Sequence, residues 1–162
     1  MIAASPPEAR LRRALRVLIV GFLACLASVS WASETAQLTR VVDGDTLEVA
    51  IGGRIEKVRL IGVDTPETVH PTNPVEFFGK QASAYTRSMA EGQIVRLEND
   101  PQDTDQDHYG RLLRYVFRPD GKLLNAEIIS QGFGHAYTRF PFSQMEEFRA
   151  LEREARLVME LR

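Results

Sequence analysis

The chain has 162 residues, of which 44% are hydrophobic, 26% charged and 8% aromatic. That composition suits one folded domain and excludes collagen-like, disordered and polytopic membrane chains. A single cysteine excludes a disulfide framework, and the formal net charge of −2 conceals an uneven distribution.

Arg10, Arg12, Arg13 and Arg16 crowd the start of the chain beside one acid, Glu8. An apolar run over residues 17–29 follows. Ser30-Trp31-Ala32 then puts small residues at the −3 and −1 positions of a cleavage site before Ser33. This order predicts a secretory signal peptide over residues 1–32. The apolar run is shorter than the ~20 residues a spanning helix needs; an uncleaved N-terminal anchor is the alternative. Cleavage after Ala32 leaves residues 33–162 as one domain, with 16 basic and 21 acidic side chains, a net charge of −5 and no cysteine. The expected location is secreted or periplasmic, with no membrane attachment once the signal is removed. A cysteine-free domain suits an oxidising compartment. An acidic domain that handles a polyanion needs local positive charge or a bound metal.

Residues 38–42 read as a strand, and Asp43-Gly44 as a hairpin turn. Residues 45–51 alternate, with Leu47, Val49 and Ile51 on one face. Gly52-Gly53 is a second turn, and 54–62 alternate again, with Val58 and Leu60 opposite Lys57 and Arg59. A Pro-rich loop covers about 63–75. Phe78, Ala82, Tyr85 and Met89 recur at helical steps and predict a helix over 77–91. Strands are expected at 93–98 and 111–117, a polar loop between them, a short helix at 125–131 and an amphipathic helix at 142–160. The pattern predicts an α+β domain: a small closed barrel of five strands with three helices, the oligonucleotide/oligosaccharide-binding (OB) barrel being the leading candidate.

Three segments are dense in reactive groups: Asp43-Gly44-Asp45-Thr46, Arg59 to Glu67, and Asp107-His108-Tyr109-Gly110-Arg111. Asp45 shares parity with Leu47 and Val49, so it points to the core side at the barrel mouth. A carboxylate there is costly unless paired or bound to metal. Asp64, Thr65 and Glu67 surround Pro66, and hard oxygen donors suit Ca²⁺ or Mg²⁺. Taken singly, each segment has a plain reading as turn chemistry, a loop cap or a paired surface arginine. Together, two carboxylates for a cation, a third carboxylate and two arginines are the parts of phosphoryl-transfer chemistry.

The ordered set DGDT, RLIGVDTPE, HP, GKQASAYT, DHYGR and LN-ISQG resembles the staphylococcal nuclease family over about residues 38–157. The resemblance implies an OB-fold barrel, one Ca²⁺ and endonucleolytic cleavage of DNA and RNA to 3′-phosphate ends. It implies Asp45, Asp64 and the Thr65 carbonyl as metal ligands, with Asp43 as an acid behind them. It implies Glu67 as general base, Arg59 and Arg111 as phosphate-binding arginines, and Tyr109 and Tyr137 as nucleotide contacts. His108 stands where the family carries lysine, which would make one phosphate contact weaker or pH-dependent. No second base-contacting tyrosine can be assigned after Tyr137. The expected partners are DNA and RNA, with single-stranded or unpaired regions favoured, and a monomer is expected. The rival reading is a catalytically inactive nuclease-like barrel that binds nucleic acid or peptide; it would lack one or more of Asp45, Arg59, Asp64, Glu67 and Arg111.

Other signals carry less. Asp103-x-Asp105-x-Asp107 opens like a calcium loop, but His108 and Arg114 occupy the glycine and glutamate positions of an EF-hand. It reads as a solvated acidic loop. His70, His108 and His135 are widely spaced and do not suggest zinc.

Overall fold

A computed structural model describes residues 33–67 and 78–160. The expected signal segment, the His70-Pro71 pair and Phe77 lie outside the described residues. The elements are β1 (Ser33–Asp43), β2 (Thr46–Ile51), β3 (Arg54–Leu60), β4 (Val63–Asp64), α1 (Gly79–Ala90), β5 (Ile94–Glu98), β6 (Leu112–Phe117), α2 (Leu124–Ser130), β7 (His135–Ala136) and α3 (Met145–Glu160). Five strands close a barrel in the order β1-β2-β3-β6-β5, and β4 and β7 form a separate two-stranded ribbon. Among the described residues, no helix is long and apolar enough to cross a membrane.

Alternation builds the barrel wall. Leu38, Val41, Leu47, Val49, Val58, Leu60, Val95 and Leu97 all turn inward and are buried, as period-2 patterning requires. The two predicted turns join β1 to β2 and β2 to β3, and both pairs are antiparallel. The pairing of β3 with β6 is parallel, so the chain between them must cross over, and α1 lies in that crossover. α2 adds Ile128 and Ile129 to the core, and α3 adds Phe148.

The structure departs from the sequence expectation by two residues or more at four element ends. β1 begins at Ser33 rather than Leu38, because residues 33–37 pair with β5, Ser33 opposite Glu98 and Gln37 opposite Ile94. The third strand ends at Leu60 rather than Gly62, where φ is +69° and the chain turns into β4. Phe78 caps α1 at φ 73°, a left-handed conformation rare for a bulky residue. α3 starts at Met145 rather than Phe142, which is instead a buried plug at 5% exposure. Its predicted apolar face also fails in the last turn: Val158 is 51% exposed.

Two buried polar residues lock the helices to the barrel. Asn125, fully buried on α2, accepts the Val116 N–H at 3.0 Å and donates to the carbonyls of Ile61 (2.9 Å) and Arg114 (3.2 Å). An unpaired buried polar group costs ~1–3 kcal/mol, and Asn125→Ala strands two of them, the Val116 N–H and the Ile61 carbonyl, while the Arg114 carbonyl keeps the Ile61 N–H. That variant is expected to lose ~2 kcal/mol or more of stability in urea unfolding, and a loss under ~1 kcal/mol would contradict the assignment.

Asp100 accepts the Tyr115 hydroxyl, the Ser143 N–H and hydroxyl, and the Gln102 N–H, tying the approach to α3 to β6. Burial raises its pKa, but those donors outweigh burial and hold it below the ordinary carboxylate value. Its stabilisation is therefore complete above the ordinary carboxylate range and is lost as pH falls through the lowered value.

Candidate active site

The site starts at the turn between β1 and β2. A Cβ on Gly44 would lie 2.6 Å from the Thr65 hydroxyl, so glycine is what lets the chain after β4 approach this turn. Asp45, next in line, is buried at 7% exposure, on the inward parity expected of it. Its Oδ1 accepts the Thr46 hydroxyl at 3.0 Å. Its Oδ2 accepts the Thr65 N–H at 2.9 Å and the Thr65 hydroxyl at 3.1 Å.

Arg59 reaches this corner from β3, where it pairs in register with Thr46. Its Nη1 forms an ion pair with Asp45 Oδ2, and its Nη2 meets Asp64 Oδ1 at 3.1 Å. One guanidinium thus bridges both carboxylates. Burial pushes the Asp64 carboxyl above its ordinary pKa; the neighbouring Asp45 adds to this and Arg59 opposes it. Two carboxylates drawn onto one cation, with the Thr65 carbonyl close by in sequence, are an all-oxygen donor set. Such a set fits Ca²⁺ or Mg²⁺ and not a soft metal. Among the described residues, no group of three or more His, Cys, Asp or Glu side chains could hold a metal. Carbonyl and water would have to complete the coordination.

Arg111 arrives from the residue before β6. Asp107, four residues earlier, organises it. Asp107 Oδ1 accepts the backbone N–H groups of Tyr109 (2.9 Å) and Arg111 (3.0 Å), and Oδ2 accepts Arg111 Nε at 2.7 Å. Burial raises the Asp107 pKa, but the Arg111 N–H and guanidinium, with the Tyr109 N–H, hold it below the ordinary range. Arg111 Nη1 lies 3.5 Å from the Thr46 hydroxyl. The Thr46 hydroxyl therefore stands between Asp45 and Arg111.

Arg59, Asp64, Arg111, His108, Tyr109 and Tyr137 share the wall of one cleft of about 740 Å³. The His108 and Tyr109 rings pack at 3.7 Å between centroids, and Tyr109 is 72% exposed. Asp45 and Thr65 lie beside this wall rather than in it. Asp43 does not line the cleft: its Oδ1 accepts the Gly44 N–H (2.8 Å) and the Ser83 hydroxyl (2.9 Å), which fastens the turn to α1. Glu67 is exposed at the end of the first described segment. The structure thus places six of the residues singled out from sequence in the cleft wall and leaves Asp43, Asp45, Thr65 and Glu67 outside it, with Asp45 and Thr65 joined to the wall through Arg59 and each other.

The acidic loop is not simply solvated. Asp107 holds Arg111, and Asp105 pairs with Arg114 at 2.8 Å. Sequence reasoning missed Asp107 and Thr46 as site residues. The available signal was an aspartate four residues before an arginine across a Tyr-Gly turn.

A family model described as Staphylococcal nuclease homologue matches residues 57–158. The chain is also 40% identical to the thermonuclease of Staphylococcus hyicus over 132 residues, which covers 80% of this chain and 76% of that protein. The chain belongs to the staphylococcal nuclease family. A second thermonuclease, from Staphylococcus intermedius, is 43% identical over 110 residues, or 68% of this chain and 64% of its own length. Endonuclease YncB of Bacillus subtilis (strain 168) is 37% identical over 121 residues, 74% of this chain and 56% of its length. The match to the staphylococcal nuclease family model contains Arg59, Asp64, Thr65, Glu67 and Arg111 but begins after Asp43 and Asp45. Pairing of Thr46 with Arg59 and the Arg59–Asp45 ion pair carry Asp45 to the same corner.

Proposed function

We propose that the protein is a secreted or periplasmic Ca²⁺-dependent endonuclease. It hydrolyses phosphodiester bonds of DNA and RNA, prefers single-stranded or unpaired regions, acts as a monomer and leaves 3′-phosphate ends. One observation carries this reading: the Arg59 guanidinium bridges Asp45 and Asp64 while Arg111 stands across the Thr46 hydroxyl, in one open cleft.

In this account Asp45, Asp64 and the Thr65 carbonyl hold the ion. When bound, Ca²⁺ neutralises the carboxylate pair and polarises a phosphate oxygen. Arg59 exchanges a carboxylate partner for a phosphate oxygen. Arg111, steadied through Nε by Asp107, keeps its two terminal nitrogens for the same phosphate. A guanidinium fork matches two phosphate oxygens and cannot lose its proton. Glu67 takes a proton from the attacking water. The water oxygen bonds to phosphorus, the bond from phosphorus to the 5′ oxygen breaks, and that oxygen leaves as a hydroxyl with a proton from solvent. The two arginines stabilise the charge that builds on phosphorus.

The inactive-module alternative is disfavoured because it would lack one or more of Asp45, Arg59, Asp64, Glu67 and Arg111, and the sequence has all five. End-group analysis tests the proposal. Fragments of single-stranded DNA should resist polymerase extension until a phosphatase removes the 3′-phosphate; fragments that extend directly would contradict it.

A further inference from the structure

We infer that the Thr46 hydroxyl is a positioning group that fixes the aim of Arg111 by tying it to the Asp45 carboxylate. This inference deepens the nuclease reading and rests on it. Thr46 is buried and opens β2, with Arg59 opposite it on β3. Its hydroxyl donates to Asp45 Oδ1 at 3.0 Å, and Arg111 Nη1 approaches the same hydroxyl oxygen at 3.5 Å. One residue therefore adjoins Arg59 through the sheet ladder, and Asp45 and Arg111 through its side chain.

Chemistry fixes the direction of these contacts. An ionised carboxylate only accepts, and a guanidinium only donates. A hydroxyl does both, so its proton goes to Asp45 and a lone pair faces Arg111. Asp45 Oδ2 is already occupied by Thr65 and Arg59, which leaves Oδ1 to Thr46. The branched Cβ of threonine restricts χ1, so the oxygen keeps its place once the strand is set. Asp107 accepts Arg111 Nε at 2.7 Å, and Thr46 meets the same planar group at Nη1. Two anchors define the orientation of a plane that one anchor leaves free to swing. A guanidinium carries five N–H donors; with one on each anchor, Nη1 keeps a proton and Nη2 keeps both for a phosphate. A spacing of 3.5 Å is long for a hydrogen bond, as is common for contacts that tighten when substrate is in place.

The test is a double-mutant cycle read by cleavage of single-stranded DNA with Ca²⁺. It uses the wild-type protein, Thr46→Val, Thr46→Ser, Arg111→Lys and the Thr46→Val/Arg111→Lys pair, with melting temperatures measured alongside. Valine keeps the shape and removes the hydroxyl. Thr46→Val should lower kcat/KM roughly 10-fold, the lower end for a hydrogen bond to a charged group. The loss should fall chiefly on kcat, because Arg111 acts on the charge that builds on phosphorus. Thr46→Ser, which keeps the hydroxyl, should stay within about threefold of wild type. Lysine has no planar fork to be aimed, so adding Thr46→Val to Arg111→Lys should cost less than about threefold. Thr46→Ala carries the expectation of the valine variant if that protein does not fold. An unchanged kcat/KM in the hydroxyl-free variant, or a loss of the same size in both backgrounds, overturns the inference and leaves the nuclease reading intact. No cleavage by the wild-type protein overturns the nuclease reading, and the inference with it.

Discussion

Glu67→Gln is expected to lower kcat by about 10²–10⁴, the usual contribution of a positioned general base. The amide keeps the size and polarity of the side chain but cannot take a proton from water. Glu67 is exposed, and exposed substitutions change stability little, so the melting temperature should stay within a few degrees. KM should also change little, because the proposed mechanism gives the phosphate to Arg59 and Arg111. Unchanged kcat in a folded Glu67→Gln protein would remove Glu67 from the mechanism.

Asp45→Ala is expected to damage both activity and folding, in contrast with Asp64→Asn. Asp45 is buried and accepts from Thr46, Thr65 and Arg59 together. Its removal takes that acceptor from the Thr46 hydroxyl and from the Thr65 N–H and hydroxyl, and leaves Arg59, 17% exposed, with Asp64 as its remaining carboxylate. Breaking a buried pair from one side costs ~3–5 kcal/mol. Partial exposure of the arginine places the expected loss near the lower end, about 3 kcal/mol in urea unfolding. The Asp64 side chain is 54% exposed, so Asp64→Asn should cost less than about 1 kcal/mol. Both variants should lose about a thousandfold or more in cleavage rate, since each removes half of the carboxylate pair. A stable, active Asp45→Ala protein would contradict the geometry drawn for this corner.

The barrel was legible because its strands obey the simplest rule. Leu47 and Val49 alternate between the tight Asp-Gly and Gly-Gly turns, Val58 and Leu60 alternate after the second, and the parity of Leu47 and Val49 placed Asp45 on the inward side. Residues 33–37 escaped notice because Ser-Glu-Thr-Ala-Gln has no apolar alternation; pairing with β5 makes them a strand. The β4–β7 ribbon was invisible for a different reason. It is two residues long on each side, and only the meeting of distant segments creates it. Phe142 fits the helical period but packs on Gly62 instead, so α3 starts later.

At the site, residue types and order disclosed the arginines and carboxylates. The role of Asp107 was hidden in an acidic loop that has an ordinary solvated reading. Its function is a matter of direction, one oxygen on two N–H groups and the other on Arg111, and direction is a property of the folded chain. The likeness of His108 to a phosphate contact rested on family pattern. The structure adds that its ring packs against Tyr109 in the cleft wall.

The central claim is that this corner is a calcium-dependent hydrolytic centre. Its most direct test is incubation of single-stranded DNA with the purified protein, once with Ca²⁺ and once with EGTA, following fragment length over time. Progressive shortening with Ca²⁺ and intact DNA with EGTA is the predicted result. Equal cleavage under both conditions, or intact DNA in both with a folded protein, would contradict it.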